Sequence, residues 1–172
     1  MSTRTEPITG DAPLTFTIKD AIGYITLNRP KQYNAFDKNM VLAFENLMLK
    51  LRWDDDIRVI ILDGGDAKGF CAGLDTNAYA PEIFKMAPVK AYNAQARMSR
   101  MFLAMRQIPQ PVISCIHGAA AGIGFSLAMA SDVRIVAEDA RFSAAYINIG
   151  LGGADMASSY FLPRLIGAGR AY

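Results

Sequence analysis

The chain has 172 residues, 52% of them apolar, and its 18 Lys and Arg nearly balance 16 Asp and Glu, giving a formal net charge of +2. A chain of this length buries roughly 70% of its unfolded surface, so neither metals nor disulfides are needed to stabilise a core. The composition excludes disordered and collagen-like classes. The scattered charge also excludes the clustered basic face that nucleic-acid-binding proteins usually carry.

The first 13 residues are polar and lack the apolar stretch of a secretion signal. We therefore expect a flexible leader over residues 1–13 and a single domain over residues 14–172. Cys71 and Cys115 lie far apart, and with the single histidine, His117, they lack the spacing of a zinc site, so no metal site is expected. Free cysteines fit a reducing compartment, and a cytoplasmic location is expected.

Apolar periodicity predicts alternating strands and helices along the chain. The predicted strands cover residues 14–19, 24–27, 59–62, 111–116, 133–136 and 141–144, and the first two form a hairpin. The predicted helices are one that begins after the N-cap Asp37 and ends at Arg52, followed by helices over 89–106, 124–130 and 156–166. This alternation is typical of an α/β fold.

Residues 107–131 carry no charged side chain and are long enough to resemble a membrane span. Two prolines near the start would break a helix, and three glycines divide the rest into shorter pieces. We therefore expect a buried strand and a short buried helix in this segment, and no membrane partner.

A glycine-rich turn, residues 118–124, lies between a predicted strand and a predicted helix. Glycines let a ligand approach the backbone, and helix N-terminal N–H groups can bind negative charge. A dinucleotide-binding fingerprint would need a third glycine where Leu127 stands. A nucleophile elbow at Ser126 would need a histidine later in the chain, but His117 precedes it. Two alternatives remain open: an oxyanion hole built from backbone N–H groups, or glycines that only allow close packing.

A second glycine-rich loop, residues 69–75, also follows a predicted strand, as an oxyanion hole with two N–H donors requires. With these loops, the chain resembles the enoyl-CoA hydratase/isomerase (crotonase) family from residue 25 to residue 167. The motifs that carry the resemblance are Asn34-Ala35-Phe36, Lys68 to Asp75, Gly118 to Gly124 with Leu127-Ala128, Ser131 to Arg134, and Gly150-Leu151. The resemblance implies a ClpP/crotonase-type spiral of ββα units. Such a protein binds an acyl-CoA thioester, stabilises its enolate, and needs no cofactor beyond the coenzyme A moiety of the substrate.

The resemblance assigns catalytic N–H donors to Leu74 and Ile123, which would polarise the thioester carbonyl. Ile123 stands where family members often have glycine, which is admissible because a backbone donor does not depend on its side chain. Substrate contacts are implied for eight further residues, namely Ala35, Lys68, Ala72, Gly73, Asp75, Gly122, Ser126 and Tyr146. The first five would lie along the coenzyme A arm, with Lys68 near its phosphates.

The catalytic carboxylates depart from the family pattern, because Ser126 and Tyr146 occupy the positions of the two glutamates that family hydratases use. Neither hydroxyl replaces a carboxylate base near pH 7 without strong tuning. Asp155 is the only charged residue within 142–163, and an acid in apolar surroundings tends towards a raised pKa that suits proton transfer. The structural alternative is that Asp155 is the N-cap of a helix that begins at Met156.

The resemblance favours a catalytic Asp155, because some family members place a working aspartate at the start of this helix. The expected protein is therefore an acyl-CoA-processing lyase or isomerase, with hydrolase or dehalogenase-like chemistry also open, in which Asp155 acts as acid/base or nucleophile. Two alternatives remain: a catalytically silent acyl-CoA-binding protein, and a hydratase that draws its acid from elsewhere in the chain.

The family usually forms trimers or pairs of trimers, so a homotrimer or hexamer is expected. The family's C-terminal helices should follow Tyr172, and we expect them to be missing from this chain. Three further expectations concern packing: a hydrogen-bonded core role for His117, core or acyl-pocket positions for Met98, Met101 and Met105, and a structural pair between Asp132 and Arg134.

Overall fold

A computed structural model describes residues 4–5, 12–153 and 155–172, and for residues 4, 5 and 155 it describes the backbone alone. Most of the leader expected over residues 1–13 lies outside the described residues.

The strands β1 to β8 span Arg4–Thr5, Leu14–Lys19, Ile22–Leu27, Val59–Asp63, Val112–Ile116, Ala119–Ala121, Val133–Val136 and Arg141–Ser143. The helices α1 to α6 span Lys38–Leu51, Ala80–Phe84, Pro88–Gln107, Ile123–Ala130, Ser158–Ile166 and Ala168–Ala171, and 3-10 turns cover Pro30–Gln32, Ala145–Ile149 and Asp155–Ala157. The predicted elements are found within two residues of their predicted bounds. The additional elements β1, β6, α2 and α6 are too short to produce a periodic sequence pattern.

The main sheet has the strand order β1-β2-β3-β4-β5-β7, antiparallel up to β3 and parallel from there on. A smaller layer pairs β6 with β8, and parallel bridges between Cys71 and Ala120 and between Phe36 and Leu74 extend this layer. The chain thus passes repeatedly from a strand of the main sheet to a strand of the smaller layer and then into a helix, as in β5-β6-α4 and β7-β8-α5. This is the spiral of ββα units that the resemblance implies.

The core lies between the main sheet and the helices α1, α3 and α4. The helix α1 begins as predicted, since the Asp37 carboxylate accepts a hydrogen bond from the Met40 N–H at 2.8 Å. On α3, Met98, Met101 and Met105 are fully buried in this core, which decides between the two positions expected for them. Burying side chains of this size contributes about 1.5–3 kcal/mol each.

The uncharged segment over residues 107–131 folds as β5, β6 and α4. The helix α4 has only eight residues, of which seven are buried. The segment lacks charge because it lies inside the protein. Among the residues that the structure describes, no helix combines the length and apolar character needed to cross a membrane.

Asp132 and Arg134 form no direct ion pair among the described residues, although the Arg134 charge helps to lower the pKa of Asp132. Asp132 instead accepts a hydrogen bond from the Arg106 guanidinium of α3 at 2.5 Å, while Arg134 donates to two backbone carbonyls at the end of α4. Burial alone would raise the pKa of Asp132, but the Val112 N–H and the Arg106 guanidinium hold it below its ordinary value. The sequence does not show this pairing because Arg106 approaches from a distant helix.

Candidate functional site

Two loops, residues 69–74 and 118–124, run side by side beyond the ends of β4 and β5. The Cys71 N–H donates to the Ala119 carbonyl at 3.0 Å, and the Cys71 carbonyl accepts from the Ala121 N–H at 2.9 Å. Since both partners use backbone groups, the two loops are held together as one unit.

The glycines of these loops allow this close approach. A Cβ at Gly124 would lie 2.4 Å from the Cys71 carbonyl oxygen, and a Cβ at Gly118 would lie 2.4 Å from the Lys68 carbonyl oxygen. The close-packing alternative is therefore correct in part. The glycines allow the two loops to pack against each other, and not only a helix to pack against a sheet.

We expect Gly124→Ala to lower the free energy of unfolding by about 1–3 kcal/mol, because the new Cβ overlaps backbone that cannot move freely. Urea unfolding followed by circular dichroism measures this loss. Gly169→Ala is the matched control, since a Cβ there meets nothing within 4 Å. The control should be neutral or slightly stabilising, because Ala is the better helix former. Equal losses in both variants would contradict the packing argument.

Gly73 and Gly122 lie where the two loops face each other, and each is followed by a residue whose backbone N–H is unpaired within the described ranges. Gly73 and Gly122 have φ values of 102° and 50°, and a Cβ at Gly122 would lie 3.6 Å from the Gly73 Cα. The next residues, Leu74 and Ile123, each carry an N–H that no acceptor takes in the part of the chain that the structure describes. In the bridge to Phe36, the Phe36 N–H donates to the Gly73 carbonyl and the Asp75 N–H donates to the Phe36 carbonyl. The Leu74 N–H takes no part in this bridge. Ile123 is the first residue of α4, and the N–H groups of a first helical turn have no carbonyl acceptor within the helix.

Leu74 and Ile123 both line a cavity of about 120 Å³. The other lining residues are Ala72, Gly73, Thr76, Gly122, Ala145, Tyr146, Asn148, Ile149, Leu151 and Met156. None of these side chains carries a charge. The cavity therefore combines apolar walls with two unpaired N–H donors.

The cavity brings together six of the residues that the sequence analysis singled out, namely Leu74, Ile123, Ala72, Gly73, Gly122 and Tyr146. Ala35, Lys68, Asp75 and Ser126 do not line it. The sequence analysis missed five lining residues, namely Thr76, Ala145, Asn148, Ile149 and Met156. The position of Met156 directly after Asp155 was the one available signal.

Asp75 supports the loop that carries Leu74. Its carboxylate accepts hydrogen bonds from the N–H groups of Asn77 at 3.1 Å and Ala78 at 2.8 Å, and from the Arg29 guanidinium at 3.0 Å. Burial alone would raise the pKa of Asp75, but these three bonds together hold it below its ordinary value. The contacts seen for Asp75 are thus structural, and its substrate contact stays a prediction.

Ala35 and Lys68 also lie away from the cavity. Ala35 is buried, and its carbonyl accepts a hydrogen bond from the Arg29 guanidinium. Lys68 is exposed, and its backbone contacts Gly118 in the neighbouring loop. Their predicted coenzyme A contacts stay predictions.

Ser126 and Tyr146, to which the resemblance assigns the positions of the two hydratase glutamates, contact each other. Their hydroxyl oxygens lie 2.5 Å apart, and both side chains are buried, with exposed fractions of 0% and 3%. The Tyr146 hydroxyl also donates to the Gly122 carbonyl at 3.2 Å. An uncharged hydrogen-bonded pair therefore occupies the place of two carboxylates.

Cys71 and His117 have structural environments. Burial raises the pKa of the Cys71 thiol to about 12, although N–H groups of Gly73 and Gly124 lower it in part. A thiol with such a pKa is not a nucleophile near neutral pH. The His117 ring is hydrogen bonded through Nε2 to the Ala67 carbonyl at 2.8 Å, as expected for a core histidine.

Asp155 begins a 3-10 turn, and its side chain lies outside the described residues. The helix expected from Met156 begins two residues later, at Ser158. The N-cap alternative depends on the Asp155 side chain and stays a prediction. Met156 and Ala157 have φ values of 49° and 63°, and non-glycine residues in this left-handed region cost of order 1–3 kcal/mol each. Met156 lines the cavity, so the backbone next to Asp155 lies at the cavity wall.

A larger cleft of about 420 Å³ is lined by residues of α1 and α3, among them Lys38, Lys90, Arg97 and Arg100. These cations are exposed, and Arg97 is paired with Glu45 at 3.7 Å. The smaller cavity remains the better candidate site, because two of its lining residues, Leu74 and Ile123, have N–H groups without an acceptor among the described residues.

A ββα spiral with two unpaired N–H groups at a largely apolar cavity defines a class of α/β proteins suited to binding a carbonyl group. The family model described as enoyl-CoA hydratase/isomerase matches residues 17–172. The chain therefore belongs to the enoyl-CoA hydratase/isomerase family.

Individual relatives agree with this membership. The chain is 37% identical over 154 residues to the "probable enoyl-CoA hydratase echA12" of Mycobacterium leprae (strain TN), covering 88% of this chain and 52% of that protein. It is 32% identical over 154 residues to 1,2-epoxyphenylacetyl-CoA isomerase of Escherichia coli (strain K12), covering 90% and 58%. The crystal structure of an enoyl-CoA hydratase from Mycobacterium smegmatis matches with a TM-score of 0.83 and 29% identity, covering 92% and 60%. The crotonase-type fold is thus confirmed, and the chain spans somewhat more than half the length of these relatives.

Proposed function

We propose that the chain binds an acyl-CoA thioester with the carbonyl oxygen between the N–H groups of Leu74 and Ile123. The observation that carries this proposal is the pair of N–H groups without acceptors on two facing loops, both lining one cavity. Loss of a proton next to a thioester carbonyl moves negative charge onto the carbonyl oxygen. Preorganised donors stabilise such an oxyanion, and removing a single donor typically costs about 10²–10³-fold in kcat.

We further propose that Asp155 is the acid/base or nucleophile of the reaction. No lining residue with a described side chain carries a carboxylate, whereas the residue after Asp155 lies in the cavity wall. The two consecutive left-handed residues after Asp155 support this assignment, since backbone strain of this kind clusters at functional sites. The alternative of a hydratase with an acid from elsewhere has no described carboxylate at the cavity to support it.

A second candidate function is a catalytically silent acyl-CoA binder. The uncharged Ser126 and Tyr146 pair favours it, because neither hydroxyl supplies the carboxylate base of family hydratases. This candidate requires thioester binding without conversion of the acyl group.

Incubation with a panel of enoyl-, dienoyl- and aryl-CoA thioesters in ¹⁸O-labelled water separates these functions by mass spectrometry of the products. Hydration adds labelled oxygen to the thioester, hydrolysis releases coenzyme A, and isomerisation leaves the mass unchanged while the chromatographic retention changes. We expect conversion of at least one thioester. Binding without any conversion would establish the silent binder, and no binding at all would overturn the proposal.

Assembly into trimers or hexamers and the cytoplasmic location stay predictions. The strand β7 at one edge of the main sheet supports the first, since Val133, Ile135 and Val136 are between 47% and 59% exposed. Exposed apolar edge strands favour burial against another surface.

A further inference from the structure

The peptide unit that joins Gly122 to Ile123 is hydrogen bonded on its carbonyl side and unpaired on its N–H side. The Gly122 carbonyl accepts from the Ser126 N–H at 2.9 Å and from the Tyr146 hydroxyl at 3.2 Å. A carbonyl oxygen has two lone pairs, and two donors thus approach this one. We infer that Tyr146 is a positioning residue, which fixes the direction of the Ile123 N–H and strengthens it as a donor.

The directional part follows from peptide geometry. A trans peptide is planar, so its C=O and N–H bonds point in opposite directions, and fixing one fixes the other. Gly122 has φ 50° and ψ −114°, and a glycine does not by itself restrict rotation of the following peptide plane. The Ser126 N–H holds the carbonyl along the axis of α4, while Tyr146 adds a second bond from the chain segment beyond β8. Because both bonds fix the Gly122 carbonyl, they also fix the direction of the Ile123 N–H.

The strengthening part follows from hydrogen-bond cooperativity. A donor to the carbonyl oxygen polarises the peptide and makes its N–H a stronger donor, by about 10–30% per bond. The Ser126 and Tyr146 hydroxyl oxygens lie 2.5 Å apart, and either hydroxyl can be the donor in this pair. A chain of hydrogen bonds thus runs from Ser126 through Tyr146 to the peptide of Ile123.

The absence of charge in this pair has a chemical consequence. A carboxylate in place of the Tyr146 hydroxyl would place negative charge against the Gly122 carbonyl oxygen instead of a hydrogen-bond donor. Two hydroxyl groups avoid this repulsion and polarise the donor instead. The substitutions at the glutamate positions therefore suit a site in which the proton is moved by a separate acid.

The inference rests on the proposed function, and a bound chromophore tests the two separately. The probe is 4-(dimethylamino)cinnamoyl-CoA, whose absorption moves to longer wavelength when its thioester carbonyl is polarised. We expect the wild-type chain to shift the saturated probe, and Tyr146→Phe to reduce the shift by about 10–30%. Ser126→Ala should reduce it by less, since the Tyr146 donor remains. Tyr92→Phe on α3, where the side chain is 72% exposed, is the matched control and should keep the full shift.

The outcomes distinguish a failure of the proposed function from a failure of the positioning role of Tyr146. Bound probe without any shift in the wild-type chain would overturn the proposed function. A wild-type shift that Tyr146→Phe retains in full, with unchanged circular dichroism, would overturn the positioning role and leave the proposed function standing. If Tyr146→Phe does not fold, the decision falls to Ser126→Ala, and a full shift in that variant overturns the inference. A merely structural Tyr146 would lower the unfolding temperature without changing the absorption of the bound probe.

Discussion

Replacing Asp155 by asparagine is expected to lower kcat by about 10²–10⁴-fold on whichever thioester the chain converts, with little change in thioester binding. Asparagine keeps the size of the side chain but cannot accept a proton or attack as a nucleophile near neutral pH. The N–H donors of Leu74 and Ile123 do not depend on this carboxylate, so ground-state binding should persist.

Steady-state kinetics with the substrates found in the thioester panel measure the effect, and calorimetry with the same thioesters measures binding. Asp139→Asn is the matched control, because Asp139 is an exposed aspartate in the turn between β7 and β8. Unchanged turnover in Asp155→Asn would remove this residue from the mechanism.

Replacing Asn34 by aspartate should cost at least about 3 kcal/mol of unfolding free energy. Asn34 is fully buried, and its Nδ2 donates to the Gly64 carbonyl at 2.8 Å and to the Phe70 carbonyl at 3.0 Å. A carboxylate oxygen at that place would face two carbonyl oxygens, lose both hydrogen bonds and carry a fully buried charge. The third contact, from the Arg29 N–H to Oδ1 at 2.9 Å, does not compensate for this loss.

Chemical denaturation at pH 7 measures the loss of unfolding free energy. Asn39→Asp on the exposed side of α1 is the control, because it makes the same amide-to-carboxylate change where the side chain is in contact with solvent. The loss in Asn34→Asp should shrink in acid, because a protonated carboxyl can donate one hydrogen bond again. Similar stabilities for the two variants would contradict the role of Asn34. Since Asn34 links the start of the Leu74 loop to the end of β4, its replacement should also weaken thioester binding.

The sequence predicts most of the fold because the pattern is local. Alternating apolar residues mark the long strands and helices, the carboxylate of Asp37 marks the start of α1, and glycines mark the two loops. The resemblance was still needed to single out Leu74 and Ile123, since every residue except proline has a backbone N–H and the side-chain type does not indicate which N–H groups are functional. Whether these N–H groups are paired depends on which carbonyl groups the folded loops bring close to them.

The missed features depend on unusual backbone angles or on distant parts of the chain. The helix expected from Met156 begins at Ser158 because Met156 and Ala157 adopt left-handed angles, which non-glycine residues rarely do. The hydroxyl pair of Ser126 and Tyr146 joins residues 20 positions apart through a 3-10 turn that no periodic pattern predicts. Helix α2 was missed because five residues including a proline are too short to show an apolar face.

The position of a thioester carbonyl between Leu74 and Ile123 is tested most directly by calorimetric comparison of butyryl-CoA with its thioether analogue S-butyl-CoA, in which a CH₂ group replaces the carbonyl. The two ligands share the coenzyme A arm and the acyl length, so the difference isolates the carbonyl oxygen. Two hydrogen bonds of about 1 kcal/mol each predict at least about tenfold tighter binding of the thioester. Equal dissociation constants for the two ligands would contradict the proposed oxyanion hole.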